Sequence, residues 1–229
     1  SSAASDVYKR QLMTPVIVLM DETIGHMREK IFLPPEPPLE VVDRAAPIEP
    51  SKWFQPYEIT PSGVSPRPPF GKGYRYHTTG LTHDPYGFPS SIQSEIVAKL
   101  DKLKRKIKAA KKLLTLYREE FTEDAHLLIV AVGSAARICR GVVREARRHR
   151  MKLGLFQPLI LWPFPEERAK QVFSENITDI FVVEHNQGML IETIKSLAPS
   201  RVNVVGINRY DGNTVEASWV LEEIRRERK

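Results

Sequence analysis

His126-Leu-Leu-Ile-Val-Ala-Val132, followed by Gly133-Ser-Ala-Ala-Arg-Ile-Cys-Arg-Gly-Val-Val-Arg-Glu-Ala-Arg-Arg148, decides how this chain folds. The first part is a short, nearly unbroken apolar run, as expected of a strand buried on both faces. The period then changes. Ala135, Ile138, Cys139, Val142, Val143 and Ala146 share one face of a helix, with arginines on the other. The same pattern recurs downstream. Strands are predicted at Leu153–Leu161, Ile177–Val183 and Val202–Ile207, and helices at Glu166–Ser174, Met189–Leu197 and Val215–Glu227. Such alternation predicts an α/β domain with a mainly parallel sheet flanked by helices and right-handed crossovers.

Upstream, a long helix is predicted over Ser91–Glu120. Ser90 and Gln93 have capping-box spacing. Ile96, Leu100, Leu103, Ile107, Ala110, Leu114 and Tyr117 step by four and three, a narrow seam of the coiled-coil kind. A strip this regular is expected to be covered by other protein. Residues 31–89 hold 13 of the 18 prolines, so little regular structure is expected there. Yet Trp53, Phe54, Tyr57, Phe70, Tyr74, Tyr76, Tyr86 and Phe88 argue against a disordered linker. An extended arm laid over a surface fits better. Before it, Pro15-Val-Ile-Val-Leu-Met20 reads as a buried strand whose sheet partners are not encoded nearby, followed by a brief helix over Thr23–Lys30. Residues 1–10, small and polar, read as a non-native tail and are set aside.

Composition narrows the chemistry. The chain has 229 residues, 41% of them hydrophobic, enough for one large domain or two small ones. No apolar run approaches the roughly 18–20 residues that span a bilayer, so no membrane partner and a cytoplasmic location are expected. The one cysteine, Cys139, can neither form an internal disulfide nor hold an iron–sulfur cluster. The net charge of +6 permits an acidic partner without demanding one. The basic runs Lys99–Lys112 and Arg137–Arg150 lack interleaved aromatics for base stacking, so no nucleic-acid partner is expected.

Several motifs can be weighed one by one. Ala131-Val-Gly-Ser-Ala-Ala136 has one glycine where a dinucleotide fingerprint needs three, and Ser134 reads as a helix N-cap. The strand ends carry Gly133-Ser134, Trp162-Pro163, Glu184-His185-Asn186 and Asn208-Arg209, at the usual ligand edge of an open α/β sheet. Trp162-Pro-Phe-Pro165 reads as a packing corner. Glu184 and His185 point to opposite faces and make no dyad. Tyr74-Arg-Tyr-His-Thr-Thr-Gly-Leu-Thr-His-Asp84 is rich in polar chemistry. His77, His83 and Asp84 are few for a metal, and a loop held by internal hydrogen bonds explains them as well.

Together these stretches carry a resemblance. Pro15-Val-Ile-Val-Leu-Met-Asp-Glu-Thr-Ile-Gly-His-Met-Arg-Glu29, Gly71-Lys-Gly-Tyr-Arg-Tyr-His-Thr-Thr-Gly-Leu-Thr-His-Asp84 with Gly87-Phe88-Pro89, Val132-Gly-Ser-Ala-Ala-Arg137, Leu161-Trp-Pro-Phe-Pro-Glu166 and Val183-Glu-His-Asn-Gln-Gly188 resemble, in order, the α subunit of 2-oxoglutarate:ferredoxin oxidoreductase, of the 2-oxoacid:acceptor oxidoreductase family. His185 and Gln187 depart from it, standing where more apolar residues are expected.

The resemblance implies an enzyme that decarboxylates a 2-oxo acid on thiamine diphosphate, passes electrons through iron–sulfur clusters to ferredoxin and makes an acyl-CoA. It implies a pyrimidine-type thiamine domain followed by a domain like the C-terminal domain of transketolase. On that basis residues 11–33 are the truncated end of the first domain and 34–89 the proline-rich arm. Residues 90–229 are then the long helix plus the transketolase C-terminal-like domain. The Asp-Glu-x-x-Gly-His-Met-Arg-Glu run favours 2-oxoglutarate, giving succinyl-CoA and CO2, over pyruvate or branched-chain 2-oxo acids. A non-catalytic binding module for an acidic partner is the rival reading. No Gly-Asp-Gly diphosphate motif is present, and Tyr210-Asp-Gly-Asn213 reads as a turn. The chain alone is therefore expected to hold no cofactor and no metal. Thiamine diphosphate, Mg2+ and the clusters are expected on a β subunit and any further subunits, with ferredoxin as acceptor. No catalytic residue is assigned. The candidates for an interface or active-site role are His77, Thr79, His83 and Asp84 in the loop, and Asp21, Glu22, His26 and Arg28 upstream.

Overall fold

The structure, a computed structural model, describes residues 8–30, 32, 43–47, 53–174 and 176–228. Residues 1–7 of the expected tail at 1–10, and the Pro34-Pro35 and Pro37-Pro38 pairs of the arm, lie outside them. After a helical turn over 8–12, the elements in chain order are α1 (Glu22–His26), α2 (Gln93–Ala109), α3 (Lys111–Leu114), β1 (Tyr117–Glu120), β2 (Leu127–Ala131), α4 (Gly133–Arg148), β3 (Leu153–Pro158), α5 (Glu166–Ser174), β4 (Asp179–Glu184), α6 (Leu190–Leu197), β5 (Asn203–Asn208) and α7 (Ala217–Arg226). They pack as two units. One joins residues 19–28 to 115–229; the other joins residues 29–114 to those before 19. The long helix α2 thus groups with the arm, not with the α/β domain to which its sequence position attached it.

In the α/β unit the strands lie in the order β1-β3-β2-β4-β5, parallel except for β1, which runs antiparallel to β3 at the edge. Side chains alternate across the strands. Leu127, Ile129, Phe181 and Val183 face one core with Cys139, Val143, Val220 and Ile224 from α4 and α7. Leu128, Val130, Ile180 and Val182 face the other with Ala169, Val172, Phe173 and Ile194 from α5 and α6. This is why β2 and β4 are apolar at nearly every position: each residue meets a helix on one side or the other.

Three expectations need correction. The helix predicted to Glu120 breaks after Leu114, and Tyr117–Glu120 forms the edge strand β1. Its periodicity is overridden by partners in the sheet. Tyr117 stacks on Phe156 with ring centroids 5.6 Å apart, Glu119 accepts from Arg168 at 2.7 and 2.8 Å, and Glu120 pairs with Arg140 at 3.3 Å. Residues 15–20 are not a buried strand. They make no ladder among the described residues, and Ile17, Val18 and Leu19 are exposed, since an apolar run without a pairing edge has nothing to bury against. Ser90 does not complete a capping box with Gln93; its Oγ accepts from the Ile92 amide at 3.1 Å.

The arginines of α4 are drawn into local ion pairs. Arg140 and Arg144 meet Glu120, and Arg147 meets Asp124 at 2.7 Å while donating to Phe121 O and Leu153 O. The corner at Trp162 is split. Phe164 is buried in the core beside α5, but Trp162 is 74% exposed and packs little.

The arm's aromatics cluster locally. Phe54 meets Tyr74 and Tyr76 edge-on at 5.2 and 5.3 Å, Tyr57 lies against His83 at 3.8 Å, and His77 stacks on Phe88 at 5.6 Å. The buried face of α2 is not the apolar seam. Leu100 and Leu103 stay exposed, whereas Lys102 and Lys106 are 7% and 6% exposed. Gly63 explains the close approach. A Cβ there would stand 2.7 Å from Lys102 O, and its φ of +78° suits glycine alone.

Candidate functional site

Strands β2 and β4 end side by side, and the loops after them meet a segment from far upstream. The φ of Gly133 is +56°, and a Cβ on it would lie 3.0 Å from Asp21 Oδ2. Glycine therefore lets Asp21 reach the first turn of α4, where its Oδ2 accepts from the Ser134 amide at 2.9 Å. A carboxylate at a helix N-terminus satisfies an orphan donor and meets the positive end of the dipole. Burial works against ionisation of Asp21. Hydrogen bonds from the Ser134 side chain and amide, with the field of His185, outweigh it and hold the carboxyl below the ordinary aspartate range. Ser134, expected to cap the helix, is instead the capped residue, and the cap lies 113 residues upstream.

Next to this clasp, Glu184 at the end of β4 is closed to solvent. It accepts from the Leu190 and Ile191 amides at 2.8 and 3.1 Å, capping α6 from below. Asn186 Oδ1 accepts from Gly188 and Met189 in the same turn. His185 turns the other way, as strand alternation requires. Its Nε2 is closed to solvent and has no hydrogen-bond partner, as has Asn208 Oδ1 at the end of β5. Around this edge Trp162, Met189 and Tyr210 are exposed. Tyr210-Asp-Gly-Asn213 is a turn: the Asn213 amide and side chain hold the Asp211 carboxyl well below its ordinary range, and Arg209 adds to this. The rest of the upstream set is open. Glu22 and His26 stand 3.9 Å apart on the exposed α1, and Arg28 is exposed.

The loop candidates lie in the other unit. Tyr57 links to Thr79 twice: its hydroxyl donates to Thr79 O at 3.1 Å and accepts from the Thr79 amide at 3.0 Å. His83 is buried, with Nδ1 2.8 Å from Asp84 O. Asp84 Oδ1 accepts from the Phe88 amide at 2.9 Å, closing the turn through Gly87. Thr79, His83 and Asp84 therefore hold the loop's shape, while His77 lies on its outer side against Phe88. The buried lysines of α2 escaped sequence reasoning altogether. Lys102 Nζ donates to Tyr57 O at 3.0 Å and to Ser65 Oγ, and Lys106 Nζ to Met13 O at 3.3 Å. Burial first, then the like charges of Lys106, Arg67 and Arg105, lower Lys102 to about 8. No spacing signal distinguishes these two lysines from their solvated neighbours.

Among the described residues no group of three or more His, Cys, Asp or Glu side chains is placed to hold a metal ion. Cys139 is buried in the core, its thiol pushed up to about 12, which does not suit a thiolate ligand. Among the same residues no helix is long and apolar enough to cross a membrane.

Comparison with known proteins gives two consecutive matches. Residues 3–102 match the domain described as pyruvate flavodoxin/ferredoxin oxidoreductase, thiamine diP-binding, and residues 125–220 match pyruvate:ferredoxin oxidoreductase core domain II. The chain is 32% identical over 211 residues to the 2-oxoglutarate synthase subunit KorA of Methanothermobacter thermautotrophicus, covering 92% of this chain and 55% of that one. It is 35% identical over 123 residues to the ketoisovalerate oxidoreductase subunit VorB of Methanothermobacter marburgensis, covering 54% and 34%. The chain thus spans about half the length of the KorA sequences it matches. Its fold matches a 2-oxoglutarate:ferredoxin oxidoreductase from Magnetococcus marinus, solved with 2-oxoglutarate, coenzyme A and succinyl-CoA bound. The TM-score is 0.75 at 20% identity, over 85% of this chain and 34% of that one.

Proposed function

This chain belongs to the 2-oxoacid:ferredoxin oxidoreductase family, and we propose that it serves as part of the α-type subunit of a thiamine diphosphate-dependent enzyme that oxidises 2-oxoglutarate with CoA and reduces ferredoxin. One observation carries this reading. Three of the stretches that resemble the family meet at the C-terminal edge of one sheet: Asp21 from the first, Gly133-Ser134 from the second and His185 from the third. Ligands of open α/β sheets bind at that edge. We infer that a partner subunit supplies the thiamine, its cation and the clusters, a reading supported by the lack of a Gly-Asp-Gly motif and by the single cysteine, Cys139, in the sequence. The loop 74–89 then lies at the subunit interface, with His77 as its outward group. Branched-chain 2-oxo acids are the second reading, favoured by the identity to the ketoisovalerate oxidoreductase subunit.

The test is co-expression with the reading frame next to this one. The purified complex is assayed for CoA-dependent reduction of ferredoxin or a viologen dye with 2-oxoglutarate, 2-oxoisovalerate and pyruvate. Turnover is expected only with both chains present and highest kcat/KM with 2-oxoglutarate. A complex inert to all three acids would overturn the proposal, and a preference for 2-oxoisovalerate would replace the substrate.

A further inference from the structure

Helix α2 is packed inside out. A surface helix usually buries its apolar stripe and leaves its charges in water. On α2 the lysines go in. Lys102 Nζ donates to Tyr57 O and Ser65 Oγ, and Lys106 Nζ to Met13 O. The arm comes so close at Gly63 that a Cβ there would lie 2.8 Å from Lys106 Cβ. Seating that face turns the apolar one outward. Ile96, Leu100, Leu103 and Ile107 form a line at steps of four, three and four, and Val97 lies beside it. Val97, Leu100 and Leu103 keep 44–57% of their surface in water. The strip reaches the loop as well. Lys99 Nζ donates to Leu81 O at 2.8 Å, which brings the exposed Leu81 to one border. Along the other border stand the exposed Lys104 and Lys108, with Asp101 as the one carboxylate that α2 places there.

We propose that this strip docks an acidic amphipathic helix of another protein chain, its apolar residues at heptad spacing on Leu100 and Leu103 and its carboxylates on Lys104 and Lys108. An apolar strip left in water beside charged residues marks a surface made for a partner. Its shape argues for a helix. Steps of four and three are the spacing at which two helices interlock along their length, and the 17 residues of α2 offer about 25 Å of it. Its charge argues for an acidic one. Two cations against a single carboxylate would set a second copy of the chain against like charge. A lipid surface fits less well, because the strip is narrow and α2 has no aromatic residue to anchor in a headgroup layer. The inference does not rest on the reaction assigned above, since it uses no group of the sheet edge.

Fluorescence anisotropy on the full chain tests it with a labelled peptide of about three heptads, Leu at a and d and Glu at e and g. Two control peptides change one feature each: Lys at e and g, or Ser at a and d. The Glu peptide is expected to bind with a Kd below ~100 µM, and both controls at least about tenfold more weakly. Leu100→Asp, at an exposed position, should weaken the Glu peptide at least about tenfold. Lys104→Glu with Lys108→Glu should reverse the preference, so that the Lys peptide binds more tightly than the Glu peptide. Circular dichroism of each variant confirms that it is folded. The proposal is overturned if the Glu peptide binds no more tightly than either control, if Leu100→Asp leaves its affinity unchanged, or if the charge reversal leaves the preference as it was. It is also overturned if Leu100→Asp dissolves a dimer seen by analytical ultracentrifugation or abolishes binding to phosphatidylserine vesicles, since the strip would then serve a second copy or a membrane.

Discussion

In the α/β unit the side chains that close completely to solvent are mostly apolar: Leu128, Ile129, Phe156, Phe181 and Ile194 among them. In the unit of residues 29–114 the buried side chains include Lys102, Lys106, Ser65 and His83. The first unit rests on the transfer of hydrocarbon out of water, which is non-directional and tolerant of detail. The second rests on directed bonds. Lys102 ties down Tyr57 and Ser65, Lys99 reaches Leu81, and Asp84 and Tyr57 close the loop. A core of the first kind shows in a sequence as periodicity. A core of the second kind does not, because a buried lysine and a solvated one are the same letter.

The sharpest way to break the contrast is Phe181→Ala. Phe181 is fully buried in the centre of β4, in register with Ile129 of β2 and Val205 of β5. Its loss should cost about 3–5 kcal/mol, the range for an aromatic removed from a close-packed core. Urea denaturation followed by far-UV circular dichroism measures it. A cost below ~1 kcal/mol would mean that the α/β unit is not held by its apolar core.

Legibility followed the same divide. Helix α5 falls where the sequence put it, and the four parallel strands shift by only a few residues, because each is an apolar run between turn signals. Strand β1 was hidden in the periodicity of the preceding helix, since what fixes it is Arg168, Arg140 and Phe156, each 20 or more positions from its partner in the chain. At the candidate site the strand ends were legible, but the Asp21 cap was not. No local pattern joins an aspartate to a helix that begins over a hundred residues later. The roles of His83 and Glu184 were invisible for a related reason. Both bond to backbone groups, whose positions only the fold supplies.

Asp21 sharpens the comparison from the other side, as a directed polar bond inside the apolar unit. Asp21→Ala removes the acceptor of the Ser134 amide and should cost about 1 kcal/mol, as for other N-caps, with Asp21→Asn costing less. The pH dependence has a defined sign. The folded pKa lies below the ordinary value of 3.8, so the unfolded chain holds the proton more tightly. The contribution of Asp21 is complete above that ordinary value and is lost as pH falls through the folded one. Stability curves of parent and Asp21→Ala should therefore converge on acidification and stay parallel from pH 5 upward. Curves that remain separated at low pH would show that the clasp does not depend on the charge.

The smallest effect is expected where an apolar residue lies on the surface of the polar unit. Leu100 belongs to the seam of α2 but is 57% exposed. Leu114, later in the same series, is 8% exposed. If seam membership governed energy, both would lose about 2–5 kcal/mol on truncation to alanine. If burial governs, they part company. Leu100 already keeps over half its surface in water, and alanine is at least as good a helix former, so Leu100→Ala should change the unfolding free energy of the chain by less than ~0.5 kcal/mol. Leu114→Ala, by contrast, removes buried carbon and should reach the lower end of the core range. Denaturation of both variants at several protein concentrations distinguishes the cases. A large cost at Leu100 that grows with concentration would mean that copies of the chain cover the seam in solution, because only a bound partner makes stability depend on concentration. A small, concentration-independent cost leaves the strip open on the folded chain, its apolar spacing without energetic consequence until something covers it.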